Sequence, residues 1–347
     1  WRVSPQIYWQ LLLDLDPEIR SDKRRMPKFT ARYSQPFSTG SEGFQDYSGT
    51  FGLDEPTADL LIRNARELAK TQTTWRVDEQ GKPAFRRGEL QHRFSAGRAY
   101  AKEYMLLMNP KKPPTTEQLK NALRTQFRLI LQREPTKKEL NDFGALMKQN
   151  IADAGQIEGI RTTFAAVVLL REVIFRSEVG KGARDKYGRR MLGARELAYA
   201  IAFALTDRRP DPVLLAAAES NKLSSKEAVQ KQVQRILNDS SIDKPRILRF
   251  FQEYFGYTKA LQAFKDRKAQ SQFRKRIGGQ RFRYLPRVLV HDTDLLIQHI
   301  LEKDKNVLQE LLTTNKTFVN FNPDRPQRPL SSYARRSDVE PTYNLKE

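Results

Sequence analysis

The sequence contains no cysteine and only three histidines in 347 residues. Without cysteine the chain cannot form a disulfide, a thiolate zinc site, an iron–sulfur site, a cysteine nucleophile or a covalent haem attachment. We therefore expect no cofactor in this chain. Any covalently attached haem, such as haem c, that works with the chain must belong to a fused or partner module.

Long apolar runs are also missing. The longest wholly apolar run covers residues 164–170, far short of the ~20 residues that a bilayer-spanning helix needs. The sequence thus predicts no membrane span. The chain opens at Trp1 instead of methionine and stops in a polar stretch, so we expect a portion of a longer protein. The lack of a visible signal peptide then says nothing about export.

Short catalytic motifs are absent as well. The sequence has no P-loop, no GxGxxG turn and no GxSxG nucleophile elbow. The candidate metal ligands are His291, Asp294 and His299. On a helix the two histidines would lie about 80° apart around the axis and ~12 Å apart along it, too far for one ion. We therefore predict no metal site, and read these histidines as surface or capping residues.

Pairs of acidic residues are the remaining candidates for acid–base chemistry. The closest pairs are Asp14 with Asp16, Asp54 with Glu55, and Asp292 with Asp294. Acidic pairs are common at helix ends, where they complement the helix dipole. With 41 acidic residues in the chain such pairs also arise by chance. The sequence therefore identifies no catalytic residue.

Positive charge is abundant. Lysine and arginine number 62 against 41 acidic residues, which gives a net charge of +21. Residues 265–287 contain nine basic residues and one acidic residue, with aromatic residues interleaved. Such a mixture is typical of surfaces that bind phosphate or other polyanions. The predicted polyanion-binding residues are Lys265, Arg267, Lys268, Phe273, Arg274, Lys275, Arg276, Arg281, Arg283, Tyr284 and Arg287.

Three kinds of partner fit this charge. An acidic protein or an anionic envelope surface fits better than nucleic acid, because the other basic clusters are dispersed and no nucleic-acid-binding module is recognisable. Plain solvation of a charged surface is the alternative. Oligomerisation is left open.

Helical periodicity runs through most of the chain. Ser4 and Pro5 predict one helix start. Capping boxes predict three more, from Thr115 with Gln118, Thr136 with Glu139, and Ser224 with Glu227. Residues 157–175 are predicted to form one strongly apolar helix. The glycines at 180, 182 and 188 predict a mobile basic connector.

The resulting fold class is all-α, with multi-helix bundle modules, long irregular loops and an extended C-terminal arm. We predict an N-terminal helical module with a long loop at residues 1–110 and a central module at 111–180. A C-terminal helical module follows at 189–320, and an extended tail at 321–347.

Several segments resemble one family when they are taken together and in order. Residues 194–199 read ARELAY, residues 211–218 read DPVLLAAA and residues 232–239 read QVQRILND. These segments resemble a helical region of planctomycetal cytochrome-c-associated multidomain proteins, whose helical modules have no known function. The resemblance implies an exported protein of the periplasm or cell envelope that works beside cytochrome c modules. It carries over no catalytic residue.

The leading hypothesis is therefore a helical scaffold, an interaction region of an exported cell-envelope protein that contacts other proteins. Activity of this chain alone is not expected. One alternative is a subunit of an envelope enzyme, either redox or polysaccharide-acting. Another is a protein that binds polyanions or nucleic acid.

Overall fold

The computed structural model describes residues 2–16, 26–37, 52–73, 103–104, 107–108, 112–259, 286–317, 321–322, 325–329 and 343–344. Within these ranges the all-α prediction is confirmed, because helices form nearly all of the regular structure. The strands among them are four short segments near the C-terminus. The chain divides into two compact units, of which the first ends at Ile242 and the second begins at Asp243.

The first unit is helical throughout its described residues. Its helices are α1 (Pro5–Leu15), α2 (Met26–Arg32), α3 (Glu55–Thr73), α4 (Thr116–Leu131), α5 (Lys137–Ala154), α6 (Gln156–Val168), α7 (Arg171–Ile174), α8 (Ala194–Thr206), α9 (Pro212–Glu219) and α10 (Lys226–Asn238).

Local capping chemistry sets several of these helix starts. The Ser4 hydroxyl accepts the Ile7 amide at 3.3 Å, and Pro5 occupies the first turn of α1, as predicted. Thr115 and Thr136 both form complete capping boxes at α4 and α5. Each box satisfies two amides that would otherwise lack partners at a helix end.

The main core of the first unit lies between α1, α3, α4 and α6. Leu12, Leu68, Leu123 and Phe164 come from these four helices, and all are fully buried in one apolar cluster. At about 25 cal/mol per Å² of apolar area removed from water, such burial contributes most of the free energy that holds the helices together. A second, smaller cluster joins α8, α9 and α10.

Gly159 shows how closely α5 and α6 approach each other. A Cβ atom at this position would lie 2.4 Å from the Ile151 amide nitrogen, and 2.5 Å from the Asn150 carbonyl carbon. Real Cβ atoms do not come that close to backbone, so only glycine permits this packing.

The predicted helix at residues 157–175 is corrected in one respect. Helix α6 ends at Val168, Leu170 adopts extended backbone, and the short α7 follows. The apolar pattern continues across the break because both helices bury residues in the same core, including Val168 and Ile174. Periodicity alone therefore could not reveal where the helix stops.

The second unit contains three α-helices within its described residues. They are α11 (Pro245–Phe255), α12 (Pro286–Lys303) and α13 (Val307–Thr313), and a 3₁₀ turn at Tyr257–Lys259 follows α11. The four strands are β1 (Lys316–Thr317), β2 (Phe321–Asn322), β3 (Arg325–Pro329) and β4 (Tyr343–Asn344).

The strands of the C-terminal region form two antiparallel pairs. Strand β1 pairs with β4, and β2 pairs with β3. The described parts of the predicted tail are thus extended backbone. The four-module division of the chain stays a prediction. Among the helices that the structure describes, none is long and apolar enough to cross a bilayer.

Candidate functional site

The predicted polyanion-binding strip falls almost entirely outside the described residues. Only the backbone of Arg287 is described, near the start of α12. The other members, from Lys265 to Tyr284, lie outside the described ranges, so the strip stays a prediction.

The candidate metal ligands all lie on α12. The Asp294 carboxylate accepts hydrogen bonds from Gln252 Nε2 at 2.9 Å and from Tyr257 Oη at 2.6 Å. Burial lowers the pKa of His299, and the nearby charge of Lys303 lowers it further. Asp294 therefore fastens α12 to the end of α11, which is a structural role.

A metal centre would need several ligands around one point. In the part of the chain that the structure describes, no group of three or more His, Asp or Glu residues is arranged to hold a metal ion. The side chain of His291 lies outside that part.

Asp292 is the unusual acid of α12. It is buried, and its Oδ1 atom has no hydrogen-bond partner among the described residues. Burial without a partner disfavours the charged form and raises the pKa of Asp292 to about 6. This carboxylate is the clearest pH-sensitive group of the second unit.

The acidic pairs of the first unit have structural partners. Asp16 is fully buried and accepts hydrogen bonds from Tyr33 Oη at 2.9 Å and Arg32 Nη1 at 3.3 Å. Burial, reinforced by the charge of Asp16, raises the pKa of Tyr33. Asp54 accepts the Thr57 amide at 2.9 Å at the start of α3, and its hydrogen bonds to Thr57 lower its pKa.

The densest polar cluster surrounds the C-terminal end of α4. Arg209 Nη1 donates to the carbonyls of Leu129 at 2.5 Å and Ile130 at 3.0 Å. Arg195 donates to the carbonyl of Leu131, the next along the helix. Tyr199 Oη lies 2.9 Å from Gln132 Oε1. Two arginines thus satisfy carbonyls at the negative end of the helix dipole and join α4 to the α8–α9 region.

Arg133 forms the ionic part of the same region. Its guanidinium donates to both oxygens of Glu139, at 2.7 and 2.8 Å, and to Glu172 Oε1 at 2.5 Å. The hydrogen bonds from Arg133 lower the pKa of Glu139 to about 2. The cluster ties α4, α5 and α7 together. Its donors point at carbonyls and carboxylates of the protein itself, so its chemistry is structural.

An exposed aromatic surface lies on α11, within the described residues. Phe250, Tyr254 and Phe255 are 49%, 65% and 39% exposed, and α11 has no buried residue at all. The Phe250 and Tyr254 rings stack at 5.8 Å, and Phe251 stacks on Phe255 at 6.2 Å. We call the surface formed by these four residues the aromatic face. Large exposed apolar patches are a common feature of interaction sites, so this face is a candidate for one.

The sequence shows that residues 247–257 are rich in aromatic residues, but it does not show that these residues are exposed. The polar residue Gln252 is the one that contacts Asp294 of α12. Three aromatic residues of the same helix, Phe250, Tyr254 and Phe255, are exposed instead of buried. The spacing of Phe250, Tyr254 and Phe255 predicts that they share one side of the helix. It does not predict that this side is exposed, because a core helix would show the same spacing.

Comparison with known families gives one match. A family model, PSD4, described as a protein of unknown function (DUF1592), matches part of the chain. Residues 192–322 carry this DUF1592 domain. No curated protein and no solved structure matches the chain.

The DUF1592 domain contains both features singled out above. Arg195, Tyr199 and Arg209, which hold the end of α4, lie near its start, and the aromatic face lies in its second half. The prediction that the chain contains a module of unknown function is thus confirmed for residues 192–322. The planctomycete origin and the association with cytochrome c remain predictions.

Proposed function

We propose that the chain is a helical interaction region of an exported cell-envelope protein, which holds partner modules in place. A cytochrome c module is the partner that the family resemblance implies. The observation that carries the proposal is the aromatic face of α11, since three large aromatic side chains of this helix are 39–65% exposed. A few residues carry most of the binding energy of a protein interface, and tyrosine is enriched among them.

The charges around the aromatic face favour a particular kind of partner. Residues 243–259, which include the aromatic face, contain four basic residues against two acidic ones. A partner with an apolar centre and an acidic rim would match this surface and would associate faster at low ionic strength. A second copy of the chain, with a net charge of +21, lacks this charge complementarity.

Site-specific photo-crosslinking tests the proposal. Tyr254 is replaced by benzoylphenylalanine in the protein expressed in its own cells, and Gln149, which is exposed on α5, serves as the matched control position. We expect one reproducible protein adduct from position 254 and none from position 149. The adduct should disappear when Phe250 and Phe255 are both changed to serine. Equal labelling from both positions would refute the proposal, and fractionation of the same cells checks the envelope location.

Polyanion binding by residues 265–287 is the second candidate function. It is favoured by the nine basic residues and one acidic residue in this stretch. Binding of this type weakens as salt rises, with a slope set by the number of anionic groups that are neutralised. We expect Arg274→Gln with Lys275→Gln to reduce the salt slope of heparin binding by about two, at roughly one per cation.

The matched control changes two cations on α5, Lys137→Gln and Lys148→Gln, which are exposed and form no ion pair in the described structure. An equal reduction in the control would assign the binding to general surface charge. Duplex DNA in place of heparin separates nucleic acid from other polyanions.

A further inference from the structure

Residues 180–191 form an ordered basic hairpin, where the sequence predicted a mobile connector. The Lys181 amide donates to the Met191 carbonyl at 2.8 Å, and the Asp185 amide donates to the Arg189 carbonyl at 2.8 Å. The Asp185 carboxylate closes the turn by accepting the amides of Tyr187 and Arg189, at 2.9 and 2.8 Å. Arg189 Nε also donates to this carboxylate at 2.9 Å, so one acidic side chain fixes the tip.

Gly180 makes the base of the hairpin. Its φ of +71° lies in the left-handed region, and a Cβ atom there would lie 2.7 Å from Arg190 Cβ and 2.8 Å from the Met191 carbonyl oxygen. Only glycine fits both the backbone angle and the close approach of the returning strand. The sequence is therefore suited to a fixed hairpin.

The hairpin displays cations that have no acidic partner. Its only acid, Asp185, pairs with Arg189, and these bonds hold the pKa of Asp185 below its usual value. Within the described residues, no ion pair is formed by the four other cations, which are Lys181, Arg184, Lys186 and Arg190. The tip thus carries an uncompensated positive charge.

Apolar side chains stand exposed among these cations. Val179, Tyr187 and Met191 are 61%, 67% and 81% exposed. The Tyr187 ring already has Lys186 Nζ at 4.9 Å and Arg189 Cζ at 4.7 Å from its centre. A nucleic-acid base could stack on this ring only by displacing those cations, which disfavours nucleic acid as the partner.

We infer that the 180–191 hairpin is a contact site for an anionic lipid surface. Cations beside exposed tyrosine and methionine side chains fit such a surface: the cations meet the headgroups, and the apolar groups enter the interface. An acidic polymer in solution would use the cations alone and would leave the apolar groups unused. The inference does not depend on the aromatic face of α11 or on residues 265–287, since it rests on other residues.

Vesicle binding of the whole chain tests the inference. The probes are vesicles of phosphatidylcholine mixed with phosphatidylglycerol, and vesicles of phosphatidylcholine alone. We expect binding to the anionic vesicles only. The double variant Arg184→Gln, Arg190→Gln should bind the anionic vesicles about 30-fold more weakly. Each cation near an anionic surface contributes roughly fivefold in affinity, and the two contributions multiply. The charge-matched control, Lys137→Gln with Lys148→Gln, should change the binding by less than about threefold.

A second variant separates a lipid surface from a soluble polyanion. Tyr187→Ser with Met191→Ser keeps every cation, and we expect roughly tenfold weaker vesicle binding, because the apolar contribution scales with the buried area. Tryptophan fluorescence during urea unfolding verifies that each variant remains folded.

Three results would overturn the inference. They are no binding of the chain to anionic vesicles, an equal loss in the control and in the arginine variant, and full binding by the Tyr187→Ser, Met191→Ser variant. The last result would assign the hairpin to soluble polyanions instead. Photo-crosslinking from position 254 is read separately, so failure here leaves the proposed function standing.

Discussion

Helices α4 and α11 show how the same kind of sequence serves two purposes. Both are amphipathic, but α4 buries eight residues in the first unit, whereas α11 has no buried residue in the second. On α4 the apolar side forms the core, with Phe127 fully buried. On α11 the aromatic side remains in solvent. Amphipathic periodicity therefore predicts that a helix has an apolar side, and tertiary structure decides whether that side is core or surface.

The charged groups of the two units differ in the same way. In the first unit Asp16 and Glu139 are each held by an arginine. In the second unit Asp292 is buried with one oxygen atom unpartnered among the described residues. Asp16 and Glu139 are thus stabilised by their partners, whereas Asp292 is buried at a cost.

The largest expected effect compares one phenylalanine from each helix. Phe127→Ala should destabilise the first unit by about 3–5 kcal/mol, because it empties a filled core position. Phe250→Ala should cost less than about 1 kcal/mol, because half of the ring is already in solvent. Urea unfolding measures both values. Similar losses for the two variants would contradict the distinction between core and surface.

The ionic cluster predicts a smaller effect that depends on pH. Arg133 lowers the pKa of Glu139 to about 2, so its contribution to stability is present above about pH 4.5 and is lost as the pH falls towards 2. Glu139→Gln retains an oxygen for the Thr136 cap but loses the charge. We expect a loss of about 1–2 kcal/mol at pH 7, after allowance for solvent screening, and no loss near pH 2.

Trp9 packs against the core of the first unit, so tryptophan fluorescence reports on the unfolding of this unit. A difference between wild type and Glu139→Gln that stays constant down to pH 2 would contradict the assigned ion pair.

Asp292 should give the opposite pH dependence. Its pKa of about 6 in the folded protein lies above the ordinary 3.8, so the folded state binds the proton more tightly than the unfolded state does. The second unit therefore loses stability as the pH rises from about 4 through 6. Asp292→Asn should stabilise it by roughly 1 kcal/mol at pH 7 and have no effect near pH 4.

Hydrogen exchange of the α12 amides, corrected for the intrinsic rate at each pH, measures this effect. If Asp292→Asn destabilises α12 at pH 7, the carboxylate has a favourable partner, and the contrast with the first unit is wrong.

The smallest expected effect concerns helix caps. In the first unit the Ser225 hydroxyl caps α10 by accepting the Ala228 amide at 3.2 Å. In the second unit Lys244 occupies the N-cap position of α11, and its side chain forms no capping hydrogen bond. Ser225→Ala should cost about 0.5–1 kcal/mol, and Ser224→Ala should cost close to nothing. Thermal unfolding of the two neighbouring variants decides between them, and a larger loss from Ser224→Ala would reinstate the cap predicted from the sequence.

This last case shows how far local sequence reasoning reaches. The boxes at Thr115 and Thr136 were predictable, because a capping box involves only four consecutive residues. At α10 the same reasoning was wrong by one position, since Ser224 and Ser225 are chemically alike. The choice between them depends on where the helix begins, which packing decides.

Features that depend on more distant contacts were harder to predict. The 180–191 hairpin is an exception, because its signal is local: its three glycines suggested mobility, but Asp185 and Gly188 occupy the first and fourth positions of a turn, where these residue types favour an ordered turn. The exposure of the aromatic face could not be read from its spacing. The arginine contacts to the end of α4 span more than 60 residues of sequence and leave no local pattern.

Hydroxyl-radical footprinting of the second unit tests the central claim most directly. The rates at Phe250 and Tyr254 are measured in the isolated chain and in the native assembly, with buried Phe164 as the internal reference. The account predicts rapid oxidation of both residues in the isolated chain and strong protection in the assembly, while Phe164 stays slow in both. Equal rates in the two samples, or protection already in the isolated chain, would contradict the account.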